Sequence, residues 1–121
     1  LFVYFYAMLH LLAYSWFDMG LDAGDIARDI AKRPFILVGF TAVLLLTPLA
    51  LTSSNWMIRW LGARRWQALH RSVYVVAALA VLHFFWMRAG KNNFTEVAVY
   101  AAVLVTLLAW RVRRNFNKKR P

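Results

Sequence analysis

Three histidines are the residues of this 121-residue chain whose type and placement could support redox chemistry. His10, His70 and His83 all lie inside long apolar segments, and none of the polar connections contains a histidine. An ionisable side chain in hydrocarbon is costly, so each histidine is a candidate functional group. Two imidazoles on one haem iron leave no open coordination position, which favours electron transfer over oxygen binding. The alternative for each histidine is a hydrogen bond that joins neighbouring helices.

The spacing of the histidines predicts which of them can meet. His70 and His83 are thirteen residues apart, about 20 Å along a helix at 1.5 Å per residue. His10 lies in the middle to outer half of the first apolar segment, so we expect it to pair with His83 at one depth. Thirteen residues also advance an ideal helix by about 220°. Either the helix departs from ideality, or the two histidines face different helices, or one, more readily His70, is not a ligand.

The composition indicates lipid as the solvent of this chain. Hydrophobic residues make up 62% of it, its mean hydropathy is +0.51, and the apolar residues come in long blocks. The absence of cysteine excludes disulfides, iron–sulfur clusters and covalent haem attachment, so any cofactor is held non-covalently. The net charge of +10 comes from basic residues between apolar blocks, which is typical of membrane topology rather than of nucleic-acid binding.

The apolar blocks predict an all-α integral membrane protein, a bundle of about four transmembrane helices in one domain, residues 1–121. Each block is close to the ~20 residues that cross a bilayer. Pro34 suits the first turn of the second helix, and Pro48 predicts a kink near its end. The predicted spans are residues 1–17, 34–53, 67–87 and 94–110, and a basic tail follows at 111–121.

The distribution of basic residues predicts the orientation. The connection 55–66 and the tail carry nine Lys and Arg, whereas the segments 18–33 and 88–93 carry five, with four acids in the first of these offsetting some of them. The side with more Lys and Arg should be cytoplasmic, so we expect the C-terminus to face the cytoplasm. The chain opens on an apolar run at Leu1, with no initiator Met and no cleavable signal peptide. We therefore expect it to be a piece of a longer protein.

The stretch from Leu61 to Trp86 carries a resemblance to a known family. It opens on Arg-Trp-Gln-x-Leu-His and contains two histidines with twelve residues between them. With Leu9-His10-Leu11 and Lys32-Arg33-Pro34-Phe35, it resembles the MsrQ (YedZ) family of haem-binding membrane subunits. That family serves bacterial methionine-sulfoxide reductase systems and lies within the ferric-reductase-like transmembrane superfamily. The resemblance covers essentially the whole chain.

The resemblance implies a fold, cofactors and partners. It implies that His10, His70 and His83 are the haem ligands, and that the chain is part of a six-helix domain without its first two helices. It implies one or two b-type haems in the bacterial inner membrane. FMN is also ascribed to the family, although the sequence shows no flavin motif. The implied role is an electron-transfer subunit, with no substrate chemistry of its own, between quinol or a cytoplasmic flavin reductase and a periplasmic molybdenum-cofactor methionine-sulfoxide reductase.

Two arginines are further candidates for cofactor binding. Arg71 follows His70 and Arg88 lies just past His83. A guanidinium suits bidentate contact with a haem propionate or a flavin phosphate, and topology charge is the alternative. For the chain as a whole, the competing hypotheses are a proton-coupled transporter fragment with an intramembrane histidine relay and a structural subunit. Colour separates them, because only a haem protein would show a Soret band.

Overall fold

A computed structural model describes residues 1–117, and these residues form helices joined by short connections, with no β-strand among them. This confirms the all-α prediction. A single π-helical turn, Tyr14–Asp18, continues the first helix. The helices are α1 (Phe2–Ala13), α2 (Ala23–Lys32), α3 (Pro34–Leu51), α4 (Asn55–Leu61), α5 (Ala63–His70), α6 (Val73–Ala89) and α7 (Thr95–Asn117).

Three helical segments among the described residues are long and apolar enough to cross a bilayer. They are Pro34–Leu51, Ala63–Ala89 and Thr95–Asn117, and they correspond to the second, third and fourth predicted spans. The first predicted span is represented by α1 and the π turn, which is shorter than these three. Most large apolar side chains along the helices are exposed, as expected where lipid covers them.

The segment predicted as a polar connection, residues 18–33, contains a helix that the sequence analysis did not predict. Asp22 caps α2 through a hydrogen bond of 2.9 Å that its Oδ1 accepts from the Asp25 N–H. Ile26 and Ile30 are half-buried while Arg28 is exposed, so the helix is amphipathic. It packs against α3.

A carboxylate joins α2 to the first helical segment. The Tyr14 hydroxyl donates a hydrogen bond of 2.5 Å to Asp29 Oδ2. The other oxygen of Asp29 pairs with Arg33 Nε at 2.7 Å, and only 13% of the Asp29 side chain is exposed. One half-buried acid therefore connects the π turn, α2 and the residue that precedes α3.

The third predicted span is not one continuous helix. The preceding basic connection forms α4, which Ser54 caps, and Gly62 separates α4 from α5 at a positive φ of 77°, where glycine has no steric cost. Helix α5 ends at His70, a turn follows at 71–72, and α6 begins at Val73. The Ser72 hydroxyl donates to the Leu69 carbonyl at 2.7 Å. The departure from an ideal helix, one of the three alternatives above, thus lies directly after His70.

The described residues form two compact units, Leu1–His83 and a second unit that begins at Phe84. In the first unit the buried residues are Ala42, Leu49, Thr52 and Val76. In the second, the Phe85 and Phe94 rings stack at 5.4 Å. The division into one domain stays a prediction. Of the predicted tail, residues 111–117 continue α7 and residues 118–121 lie outside the described part.

Candidate functional site

The first compact unit brings two of the three histidines together. His10 lies in the last turn of α1 and His83 lies in α6. Their ring centroids are 6.3 Å apart, with an angle of 74° between the rings. Two imidazoles on opposite sides of one metal ion would have centroids about 6.4 Å apart, from a metal–nitrogen bond of about 2 Å and the size of the ring. The observed separation is close to this value, so the two rings lie near enough to hold one metal ion between them.

The hydrogen bond of His83 selects the tautomer of its neutral ring. Its Nδ1 lies 2.6 Å from the carbonyl oxygen of Phe35, at the beginning of α3. A carbonyl can only accept, so in a neutral ring Nδ1 carries the proton and Nε2 keeps its lone pair. This is the tautomer in which a histidine binds a metal through Nε2 while a backbone carbonyl orients the ring.

His70 has the same arrangement at the end of α5. Its Nδ1 lies 3.1 Å from the carbonyl oxygen of Trp66, and its ring stacks on the Trp66 indole at 4.0 Å. The indole N–H in turn donates to the Thr52 carbonyl at 2.8 Å. Within residues 1–117, the His70 Nε2 is buried and has no hydrogen-bond partner. A buried nitrogen without a partner is costly, and a metal ion would satisfy it.

Within the described residues no group of three or more His, Cys, Asp or Glu side chains could hold a metal ion. Haem needs only one or two side chains, because the porphyrin supplies four nitrogens. A pair of histidines such as His10 and His83 would therefore be enough to hold a haem.

The two candidate arginines differ in their surroundings. Arg71 is exposed, immediately after the last residue of α5. In the second unit, Arg88 forms an ion pair with Glu96 and its guanidinium lies 5.5 Å from the centre of the Phe84 ring. Its charge thus already has a partner, which the sequence analysis did not foresee.

Sequence analysis also missed the groups that orient the histidines. Trp66 entered the sequence analysis only as part of the Arg-Trp-Gln-x-Leu-His motif, although its position four residues before His70 places both on one helix face. The Phe35 carbonyl is a backbone group, and no residue type in the sequence marks it.

Comparison with known proteins defines the family. Residues 1–81, which include His10 and His70, match the family described as the ferric reductase like transmembrane component. The chain belongs to the ferric-reductase-like transmembrane family. No solved structure matches it.

Several relatives of this family member bear the same name. A protein-methionine-sulfoxide reductase haem-binding subunit MsrQ from Polaromonas naphthalenivorans is 68% identical over 99% of this chain and 55% of its own length. Subunits of the same name are 54% identical in Ralstonia nicotianae, over 93% of this chain and 52% of the relative, and 50% identical in Herminiimonas arsenicoxydans, over 98% and 55%. The predicted resemblance is thereby confirmed. The chain spans about half the length of these relatives.

Proposed function

We propose that this chain binds b-type haem between α1 and α6 and relays electrons through the membrane to a periplasmic methionine-sulfoxide reductase. The observation that carries the proposal is the separation of the His10 and His83 rings, 6.3 Å, which suits two imidazoles on one iron. Family membership and the printed names of the relatives support it.

Each histidine would have a distinct part in holding the cofactor. His10 and His83 would hold one haem from opposite sides. His70 would hold a second through its buried and unpaired Nε2, with a partner ligand that is not a histidine of this chain. Haem iron supplies one-electron chemistry when bound. The carbonyls of Phe35 and Trp66, which lie within hydrogen-bond distance of the two Nδ1 atoms, would keep the ring protons there and leave each Nε2 lone pair available.

The arginines would contribute charge rather than ligation. Arg71, exposed beside His70, is the better candidate for pairing with a haem propionate or a flavin phosphate, because Arg88 already pairs with Glu96. We retain FMN as a proposed second cofactor on the family resemblance alone.

The direction of electron flow and the partners complete the proposal. The excess of basic residues in the connection 55–66 and at the C-terminus favours a cytoplasmic C-terminus in the bacterial inner membrane. Electrons would enter from quinol or a cytoplasmic flavin reductase, and the acceptor would be a molybdenum-cofactor enzyme in the periplasm. The subunit would do no substrate chemistry itself.

Haem content tests the proposal. The purified chain, supplied with haem, should show a Soret band that shifts on dithionite reduction, with one or two haems per chain in a pyridine haemochrome assay. His10→Ala and His83→Ala should each abolish the bis-histidine signal of the shared haem, because the remaining imidazole leaves one position of the iron open. Thr106→Ala, an exposed position in α7, is the control and should keep the full spectrum.

Two results would overturn the proposal. A colourless protein that binds no added haem would favour the histidine-relay transporter. Retention of a complete bis-histidine spectrum in both histidine variants would exclude His10 and His83 as the ligand pair.

A further inference from the structure

The His83 ring packs against one helical turn of α3, formed by residues 35–39. We call the Phe35 carbonyl and Gly39 together the His83 seat. We infer that Gly39 and the Phe35 carbonyl are positioning groups, which together fix the rotamer and the tautomer of His83. The inference rests on the proposed haem function for its purpose, but the seat itself is a feature of the protein without cofactor.

Gly39 leaves the space that the His83 ring occupies. A Cβ added at Gly39 would lie 2.7 Å from the Nδ1 of His83, 2.8 Å from its Cε1 and 3.2 Å from its Cγ. Ordinary van der Waals contacts between such atoms are about 3.5–4.0 Å, so no side chain fits here while the ring stays in place. A movement of the ring away from position 39 would disturb the hydrogen bond between its Nδ1 and the Phe35 carbonyl, which is 2.6 Å long.

The two groups belong to the same turn of helix. In an α-helix the carbonyl of residue 35 accepts the N–H of residue 39, and its second lone pair remains available. A side chain at position 39 would cover that lone pair. The missing Cβ is what lets an imidazole from α6 approach the backbone of α3 and donate its Nδ1 proton to it.

Local conformation gives no other reason for glycine at this position. Gly39 lies in the interior of α3 and is not among the glycines with positive φ, which in the described residues are Gly20 and Gly62. Glycine inside a helix costs about 1 kcal/mol relative to alanine. Replacement by alanine would therefore favour the helix on propensity alone, and the contact with His83 opposes it.

The consequence for the proposed function is a ligand oriented before the cofactor arrives. With the proton held on Nδ1, His83 presents the lone pair of Nε2 in a fixed direction. Removal of an outer-shell partner from a metal-binding histidine typically lowers metal affinity by 10–100-fold. We expect an effect of that size on the haem shared by His10 and His83 when the seat is filled.

The experiment compares Gly39→Ala with Gly90→Ala in the full chain. Gly90 has no atom within 4 Å of an added Cβ, so its replacement is the matched control. Haem binding is titrated, and the histidine tautomers are read from ¹⁵N NMR of the haem-free protein, with the His83 signal assigned by its loss in His83→Ala. Far-UV circular dichroism confirms that each variant is folded.

The expected result is a His83 ring protonated at Nδ1 in the unsubstituted chain and in Gly39→Ala a mixture of tautomers, with haem affinity lowered at least tenfold. Gly90→Ala should match the unsubstituted chain in both measurements. If His83 in the unsubstituted chain carries its proton on Nε2, the inference is overturned whether or not any variant folds.

Failure of the inference and failure of the proposed function are distinguishable. If the tautomer and the haem affinity are unchanged in Gly39→Ala while the unsubstituted chain binds haem normally, the positioning role of Gly39 is refuted and the proposed haem function is not. An Nδ1-protonated His83 that becomes mixed in Gly39→Ala, in a chain that binds no haem, would support the seat and refute the haem function.

Discussion

The hydrogen bond between Tyr14 and Asp29 should be one of the stronger polar interactions of the first unit. The two groups approach to 2.5 Å, and 13% of the Asp29 side chain is exposed. Hydrogen bonds to a charged partner contribute about 1.5–3 kcal/mol when water is largely excluded. The Arg33 guanidinium on the same carboxylate is half exposed and should add at most about 1 kcal/mol.

A double-mutant cycle isolates this bond. Tyr14→Phe removes the donor, and Asp29→Ala removes the acceptor together with the Arg33 pair. We expect each single variant to lower the free energy of unfolding, and we expect a coupling energy of about 2 kcal/mol between them. The free energies come from reversible unfolding of the detergent-solubilised chain with dodecyl sulfate, followed by far-UV circular dichroism.

The pair Asp25 and Arg28 supplies the matched control on the same helix. Their charged atoms are 3.4 Å apart, and 62% and 75% of their side chains are exposed. An exposed pair of this kind should couple by no more than about 0.5 kcal/mol. If the Tyr14–Asp29 cycle gives a coupling no larger than this control, our account of how α2 is held is wrong.

Two further predictions concern the other ring and charge contacts. Trp66→Leu removes both the stack on His70 and the bond to the Thr52 carbonyl, so it should cost about 2–4 kcal/mol of unfolding free energy. Trp66→Phe keeps a stacking ring and should cost about 1 kcal/mol; equal losses in the same dodecyl sulfate assay would show that the stack contributes nothing. In the second unit, Glu96→Gln should cost less than about 1 kcal/mol and less still at high salt, because about half of the Glu96 side chain is exposed. A salt-independent loss above about 2 kcal/mol would contradict that reading of the Arg88 pair.

The spans and the histidine pair were predictable because both depend on signals that lie in the sequence itself. Hydrocarbon solvent imposes long apolar runs, and these located α3 and α7 to within a few residues at their starts, Pro34 and Thr95. The depths of His10 and His83 followed from counting residues along predicted helices. Their 6.3 Å separation agrees with that count, while their ligation of iron stays a proposal.

The features that sequence analysis missed depend on tertiary contacts or on short-range capping. Helix α2 has four charged residues among ten, so its apolar face is narrow, and it is held by packing on α3 and by the Tyr14–Asp29 hydrogen bond. The interruption after His70 contains neither glycine nor proline, so no helix-breaking residue in the sequence predicted it. Nothing in the sequence distinguishes Gly39 from another glycine in an apolar helix, because the ring that it accommodates belongs to His83, 44 residues further along the chain.

Because of the turn at residues 71–72, His70 and His83 lie on two helices, α5 and α6, rather than on one continuous helix. The two histidines are also held by different carbonyls, that of Trp66 in α5 for His70 and that of Phe35 in α3 for His83. Under the proposed function, a substitution at Trp66 would therefore act on His70, and one at Gly39 would act on His83, so that the two imidazoles can be perturbed one at a time.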